Sequence, residues 1–209
     1  MGNVYGGGTP KTNVDEYWNG DIPWIQSSNV QEDQIFNVEI SKKITNTGLE
    51  KSAAKLIPAN SIAVVTHVGV GKLVYMPFSY ATSQDFVSLS DLKTDEKFMC
   101  YSLYQRLKKD IYIVQGSAIK GITKEDLLTK QIMIPCKAEQ EKIGEYFNTL
   151  DHLITLHQRK LVAINLTNAI VLFDNGYNPA LACEFIILKG VLTYAKHHYQ
   201  KRHVILRLL

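Results

Sequence analysis

Apolar residues recur along the second half of the chain at alternating steps of four and three: Ile143, Phe147, Leu150, Ile154, then Leu161, Ile164 and Val171, with His157 and Asn168 at the intervening seam positions. That a/d spacing predicts a long helix from about Ala138 to Val171 that packs along a partner helix rather than onto a sheet. Glu139, Glu141, Lys142 and Glu145 fall on its outer face, as a solvated helix requires. Polar His157 and Asn168 in the seam are candidates for fixing partner choice and register.

The first half follows a different period. Clustered β-branched residues bounded by Pro58, Gly69 and Pro77 predict strands near Ser61 to Thr66, Gly71 to Met76 and Asp85 to Leu89, after a short helix near Thr47 to Ala54. Phe98, Leu103, Tyr104 and Leu107 lie on one face of a predicted helix over Glu96 to Ile113, opposite Gln105, Arg106, Lys108 and Lys109. Thr123 followed by Glu125 and Asp126 reads as a helix start, and Gln131 to Ile134 as a final strand ended by Pro135. Nearer the N-terminus, Gly6 to Thr12 reads as a loop with which the chain begins, and Asn19-Gly20 as a tight turn between Trp18 and Trp24. Ile22 to Ile25 suits a short strand with Pro23 at a sheet edge. The fold class expected is therefore α/β (α+β): a β-rich head over 1–136, a long coiled-coil-forming helix over 137–173, and a divergent tail over 174–209.

With 45% hydrophobic residues in 209, the chain has ample material for a core. No apolar run reaches the ~18 to 20 residues of a membrane span, and the N-terminal residues lack the apolar core of a signal peptide, so a cytoplasmic protein without membrane contact is expected. Cys100, Cys136 and Cys183 lie far apart without metal-ligand spacing and are expected to be free thiols. The net charge is +3. After Glu184 no acidic residue occurs while Lys189, Lys196, Lys201, Arg202 and Arg207 follow; removing those five from the 23 basic residues leaves 18 against 20 acidic, so head and helix are near neutral. Any nucleic-acid contact by the head then rests on the placement of a few cations.

Catalytic patterns are missing. Gly69-Val70-Gly71-Lys72 departs from a phosphate-binding loop at Thr66, where glycine is needed, and at Leu73, where a hydroxyl must reach magnesium, so it reads as a turn between strands. Gly6-Gly7-Gly8 has no dinucleotide context, and no nucleophile elbow, zinc-protease motif or methyltransferase Asn-Pro-Pro-aromatic motif occurs. No cofactor or metal is expected, and the chain is read as non-catalytic.

Taken in order, Gly7-Gly8-Thr9-Pro10-Lys11, Trp18-Asn19-Gly20-Asp21-Ile22-Pro23-Trp24, Gln115-Gly116-Ser117, Ile132 to Pro135, and Glu139-Gln140-Glu141-Lys142-Ile143 with Leu150-Asp151 and Leu153-Ile154 resemble the specificity subunit of type I restriction-modification systems over about positions 6 to 161. The resemblance implies a target recognition domain reading half of a split DNA sequence, followed by a spacer helix that docks methyltransferase subunits. Its partners would be double-stranded DNA and the methyltransferase and restriction subunits, which would supply the chemistry. One head and one helix, where the family has two of each, imply a half-subunit that forms a homodimer through Ile143, Phe147, Leu150, Ile154, His157, Leu161 and Ile164. The family's strand ahead of the Gly-rich turn is expected to be missing. Base-reading candidates are polar residues on sheet-supported loops, namely Thr66, His67, Gln84, Gln115, Ser117 and Lys120, with Lys11 and Lys72 as phosphate contacts. The competing class is an interaction protein that self-associates or docks partners without sequence-specific DNA binding.

Overall fold

Four antiparallel strand pairings and one parallel pairing build the two sheets of the head. A computed structural model describes residues 2–113 and 121–174, and the side chains of 111–113 and 165–174 lie outside that description. Strands β1 (Asn3–Gly6), β4 (Ser61–Val65), β5 (Leu73–Met76) and β7 (Phe86–Ser90) form one sheet in the order β1-β7-β4-β5, every pairing antiparallel. Strands β2 (Trp18–Ile25), β3 (Lys42–Ile44) and β6 (Ala81–Thr82) form a second sheet in the order β3-β2-β6. Helices α1 (Asn46–Glu50), α2 (Glu96–Ile113), α3 (Lys124–Leu128) and α4 (Lys137–Asp174) complete the described elements.

The first sheet is covered on both faces, which explains why its strands read as continuous apolar runs. In β4, Ile62 and Val64 join a cluster with Leu73, Val87 and the α2 residues Met99, Cys100, Leu103 and Leu107. Ala63 and Val65 point the other way, into a cluster with Ile25, Val30, Ile57, Val74, Met76, Tyr80 and Phe86. The two-residue period of the strand thus divides its side chains between two cores. Trp24, Ile44, Ala54 and Ala81 form a third cluster between the second sheet and the segment after α1.

The predicted short helix, the three central strands, α2 and the long helix all form. Thr123 caps α3 through a reciprocal pair, its hydroxyl accepting from Asp126 N and its own N–H donating to the Asp126 carboxylate. That contact holds the Asp126 carboxyl below its ordinary range, chiefly through the Thr123 side-chain and backbone hydrogen bonds.

Several expectations are corrected. The chain does have a strand before the Gly-rich turn: β1 pairs Val4 with Leu89 and Tyr5 with Ser88 along β7. Asn19-Gly20 is not a hairpin turn but a bulge inside β2, where Trp18 and Ile22 both face Ile44 and Asn19 takes φ 61°. A two-against-one register there lets one strand carry both tryptophans. Pro23 lies within β2, yet β6 pairs only Trp24 and Ile25, so its missing N–H has no ladder partner to deprive on that side. Gln131 to Ile134 form no strand. Ile35 already supplies a carbonyl to Tyr75 N beside β5, and of the four residues only Ile132 packs on the core while Met133 is 94% exposed. Strands β3 and β6 were not anticipated.

The chain divides into two compact units, the first ending at Phe147 and the second starting at Asn148. The first unit includes the first turns of α4.

Tyr80 is fully buried at the centre of the second core cluster, where its hydroxyl accepts from Ser61 Oγ and donates to Ser88 Oγ, both at 3.1 Å. Burial pushes its phenol up to about 12, against smaller lowering by the two serine contacts. Raised above the unfolded value of ~10, this group contributes stability that is complete below pH ~10 and is lost as pH rises towards ~12, at about 1.4 kcal/mol per pH unit. Tyr80→Phe is expected to remove that alkaline loss relative to the wild type in denaturant melts at pH 8 and above. Identical alkaline slopes for the two proteins would assign the loss elsewhere.

Candidate nucleic-acid interface

The Gly-rich turn is held by its neighbours' backbone. Gly8 N donates to Thr82 O at 2.8 Å, and Trp24 Nε1 donates to Gly8 O at 3.1 Å from a ring that is 3% exposed. Trp18 Nε1 donates to Lys11 O at 3.1 Å, and the two indoles meet edge to face with centroids 5.2 Å apart. The two tryptophans of the bulged strand thus fix two carbonyls of the turn, those of Gly8 and Lys11, and Lys11 is exposed to solvent. Lys42 Nζ lies 5.7 and 5.8 Å from the Trp18 and Trp24 ring centroids, which holds a cation against the two indoles. Sequence reasoning passed over Lys42, since no local pattern connects it with two rings on another strand.

From the turn, Thr9 Oγ1 donates to Gln84 Oε1 at 2.6 Å, joining the Gly-rich segment to the residues just before β7. Gln84 is exposed, while Ser83 beneath it is buried and donates from Oγ to the Asp85 carboxylate at 3.2 Å. Asp85 O in turn accepts from Thr66 N at 2.8 Å and from Thr66 Oγ1 at 2.9 Å. Thr66 is 1% exposed with its hydroxyl bonded inside, so it supports the surface without facing solvent; its place among the base-reading candidates is corrected accordingly.

His67 follows it and is exposed, in the turn joining β4 to β5. Gly69 and Gly71 adopt φ 83° and 85° there, the left-handed geometry that glycine permits. Gly71 N donates to Val65 O, and the Lys72 side chain folds back so that its Nζ lies 3.5 Å from where a Cβ on Gly69 would sit. Ile122 N donates to Thr66 O at 2.8 Å, and Gly121 sits against the His67 ring. The Thr9–Gln84 and Thr66–Asp85 bonds thus join the Gly-rich turn, the 83–85 segment and the β4–β5 turn, the segments on which Lys11, Gln84, His67 and Lys72 lie. Gln115, Ser117 and Lys120 lie outside the described residues.

The family model for the type I restriction modification DNA specificity domain matches residues 1–166. The chain belongs to this family. It is 25% identical over 181 residues to the MjaIX specificity subunit of Methanocaldococcus jannaschii, covering 85% of this chain and 42% of that one. It is 30% identical over 168 residues to the EcoR124I/EcoR124II specificity subunit of Escherichia coli, covering 74% and 41%. The chain thus spans about two fifths of the length of these curated relatives. In fold it is similar to the HsdS subunit of Thermoanaerobacter tengcongensis, with a TM-score of 0.55 at 14% identity over 76% of this chain and 37% of that one. It is likewise similar to the type I restriction-modification S subunit from M. genitalium, at 0.53 and 12% over 82% and 42%.

In this specificity-domain chain, the Glu139-Gln140 motif has a definite task at the junction of head and helix. Gln140 is 4% exposed; its Oε1 accepts from Asp95 N at 2.9 Å and its Nε2 donates to Pro135 O at 2.8 Å. Asp95 Oδ1 accepts from Phe98 N at 2.8 Å, so one glutamine connects the start of α4 to the cap of α2. Lys97 and Glu145 pair at 2.6 Å, and Tyr101 meets the Phe147 ring at 5.4 Å. Phe147, expected in the dimer seam, has its ring against its own head. Ile143 is half-buried in the same unit. Beyond Phe147, Leu150 and Ile154 are half-buried, and His157, Leu161 and Ile164 are exposed. Leu153, Leu156 and Val162 are exposed as well, so the apolar face of α4 is broader than the a/d positions alone. No helix among the described residues is long and apolar enough to cross a membrane.

Proposed function

We propose that this chain is a DNA sequence-recognition module of a type I restriction-modification assembly, reading one half of a bipartite site with its head and docking methyltransferase subunits through α4. The observation that carries this reading is the union of the Gly-rich turn, the 83–85 segment and the β4–β5 turn at one end of the head, in a member of a DNA specificity family. His67 and Gln84 offer polar groups for base edges there, while Lys11, Lys72 and Lys42 supply positive charge for phosphates. Sequence-reading loops on a rigid sheet are a common arrangement for recognition. The module itself is non-catalytic; methyl transfer and cleavage belong to its partner subunits.

A single head covers only about three to four base pairs, because few side chains from one element reach base edges. Two copies paired through α4 from Leu150 onward supply the second head, and two-fold symmetry then makes the site an interrupted palindrome. Selection of the full chain, with a methyltransferase subunit, against random duplex DNA is expected to enrich such a bipartite motif. Binding without any enriched sequence would replace this reading by that of a docking protein. Lys72→Ala and Lys11→Ala are each expected to lower the slope of log affinity against log salt by about 1 with the preferred sequence unchanged; an unaltered slope removes that lysine from the phosphate contacts.

A further inference from the structure

His67 is exposed, yet its ring is not free to choose its protonation pattern. Thr66 Oγ1 lies 2.9 Å from Asp85 O and 3.2 Å from His67 Nδ1. A carbonyl oxygen has no proton to give, so two oxygens 2.9 Å apart attract only if the threonine hydroxyl proton lies between them. The hydroxyl has one proton. Towards His67 it therefore presents a lone pair, and Nδ1 must be the donor.

A neutral imidazole carries one N–H, so fixing it on Nδ1 leaves Nε2 bare. Thr66 is held by three further bonds to Asp85 and Ile122: its N–H and hydroxyl donate to Asp85 O, and its carbonyl accepts from Ile122 N at 2.8 Å. The opposite edge of the ring rests on Gly121, whose added Cβ would lie 3.4 Å from His67 Cδ2. Nε2 has no hydrogen-bond partner among the described residues. The buried threonine thus converts an ambiguous side chain into an acceptor at Nε2.

We infer that His67 reads a base bearing an exocyclic amino group, accepting through Nε2 from adenine N6 or cytosine N4 in the major groove. This rests on the DNA-reading function proposed above and gives it a chemical preference. Guanine offers only N7 and O6 acceptors on its major-groove edge and thymine only O4 beside a methyl, so within any base pair a bare Nε2 meets the adenine or cytosine, whichever strand carries it. Thr66 acts as a positioning residue. Its burial and its contact with Asp85 determine which atom His67 presents.

Two measurements test this. A two-bond proton–nitrogen correlation spectrum of the wild-type chain, at a pH where His67 is neutral, is expected to find Nδ1 protonated and Nε2 bare, and Thr66→Val, but not Thr66→Ser, to release that preference. In duplex selection, His67→Ala is expected to abolish discrimination at one base pair while keeping the rest of the motif. Replacing that base by purine or 2-pyrimidinone, which lack the amino group, should weaken wild-type binding about tenfold and leave His67→Ala unaffected. A protonated Nε2 in the neutral ring, wild-type binding unchanged when the exocyclic amino group of the His67-dependent pair is removed, or full discrimination in His67→Ala overturns this inference while the DNA-reading function stands. Absence of any enriched motif in the wild type overturns both.

Discussion

Gly7→Ala is expected to destabilise the head by about 3 kcal/mol and to remove sequence-specific binding, whereas Gly6→Ala one residue earlier should leave both intact. A Cβ on Gly7 would stand 1.9 Å from Ser83 O and 2.1 Å from Thr82 Oγ1, and the obstructing atoms belong to the segment that carries Gln84. Thr82 is fully buried, so the segment has nowhere to retreat without disturbing the core. A Cβ on Gly6 meets nothing within 4 Å. Overpacking of this kind usually costs about 1 to 3 kcal/mol, and an exposed substitution in open space stays within about 0.5 kcal/mol. In a thermal melt the first corresponds to a drop of roughly 6 to 12 °C for a domain of this size. Gly8→Ala should behave like Gly7→Ala, because its Cβ would lie 2.3 Å from the Ala53 carbonyl. Equal losses at Gly6 and Gly7 would mean that the triplet is required for its conformation and not for close approach.

The same contrast explains which parts of the fold are legible in the amino-acid order. Strands β4, β5 and β7 are readable because each is a short, largely apolar run beside a turn signal, and α2 because Phe98, Leu103 and Leu107 repeat on one face and are all buried. Strand β1 is hidden, since Asn3 to Gly6 is a strand only by virtue of β7 lying beside it. Strand β6 is two residues long and exists through Trp24 and Ile25. Asn19-Gly20 carries the signal of a turn, and the backbone does take left-handed geometry there; Ile44 opposite makes it a bulge.

At the candidate interface, exposed His67 and Gln84 were readable as polar residues beside strand ends. What the order of residues does not contain is that Thr66, adjacent to His67, turns inward. That depends on Asp85, contributed by another strand connection. The long helix shows the same limit. Its heptad spacing marks a helix with a packing face, but spacing alone does not tell a partner's helix from the chain's own head. Phe147 has its ring 5.4 Å from Tyr101 of its own head.

Gln140 is where this distinction has the largest consequence, and Gln140→Glu is expected to cost more than Gln140→Ala. Alanine removes both bonds of the staple, leaving Asp95 N and Pro135 O without their partner at a site where residue 140 is 4% exposed. Such a loss amounts to about 2 kcal/mol. Glutamate keeps the acceptor for Asp95 N but replaces the Nε2 donor with a second oxygen facing Pro135 O, and it places a charge beside Asp95. Burial and the neighbouring carboxylate both raise the pKa of that glutamate above its unfolded value. Its charged form is the destabilised one, so stability relative to the wild type should be lowest at neutral pH and recover as pH falls towards the glutamate's unfolded value of ~4.3. The Lys97–Glu145 pair nearby is a control, since both partners are substantially exposed and Lys97→Ala should change stability by less than about 1 kcal/mol. Hydrogen exchange at the Asp95 amide reports the staple directly, with faster exchange in both Gln140 variants and near wild-type exchange in Lys97→Ala. If Gln140→Glu proves as stable as the wild type at pH 7, then α4 is seated on its head by Tyr101 against Phe147 and the surrounding packing, and the glutamine is dispensable.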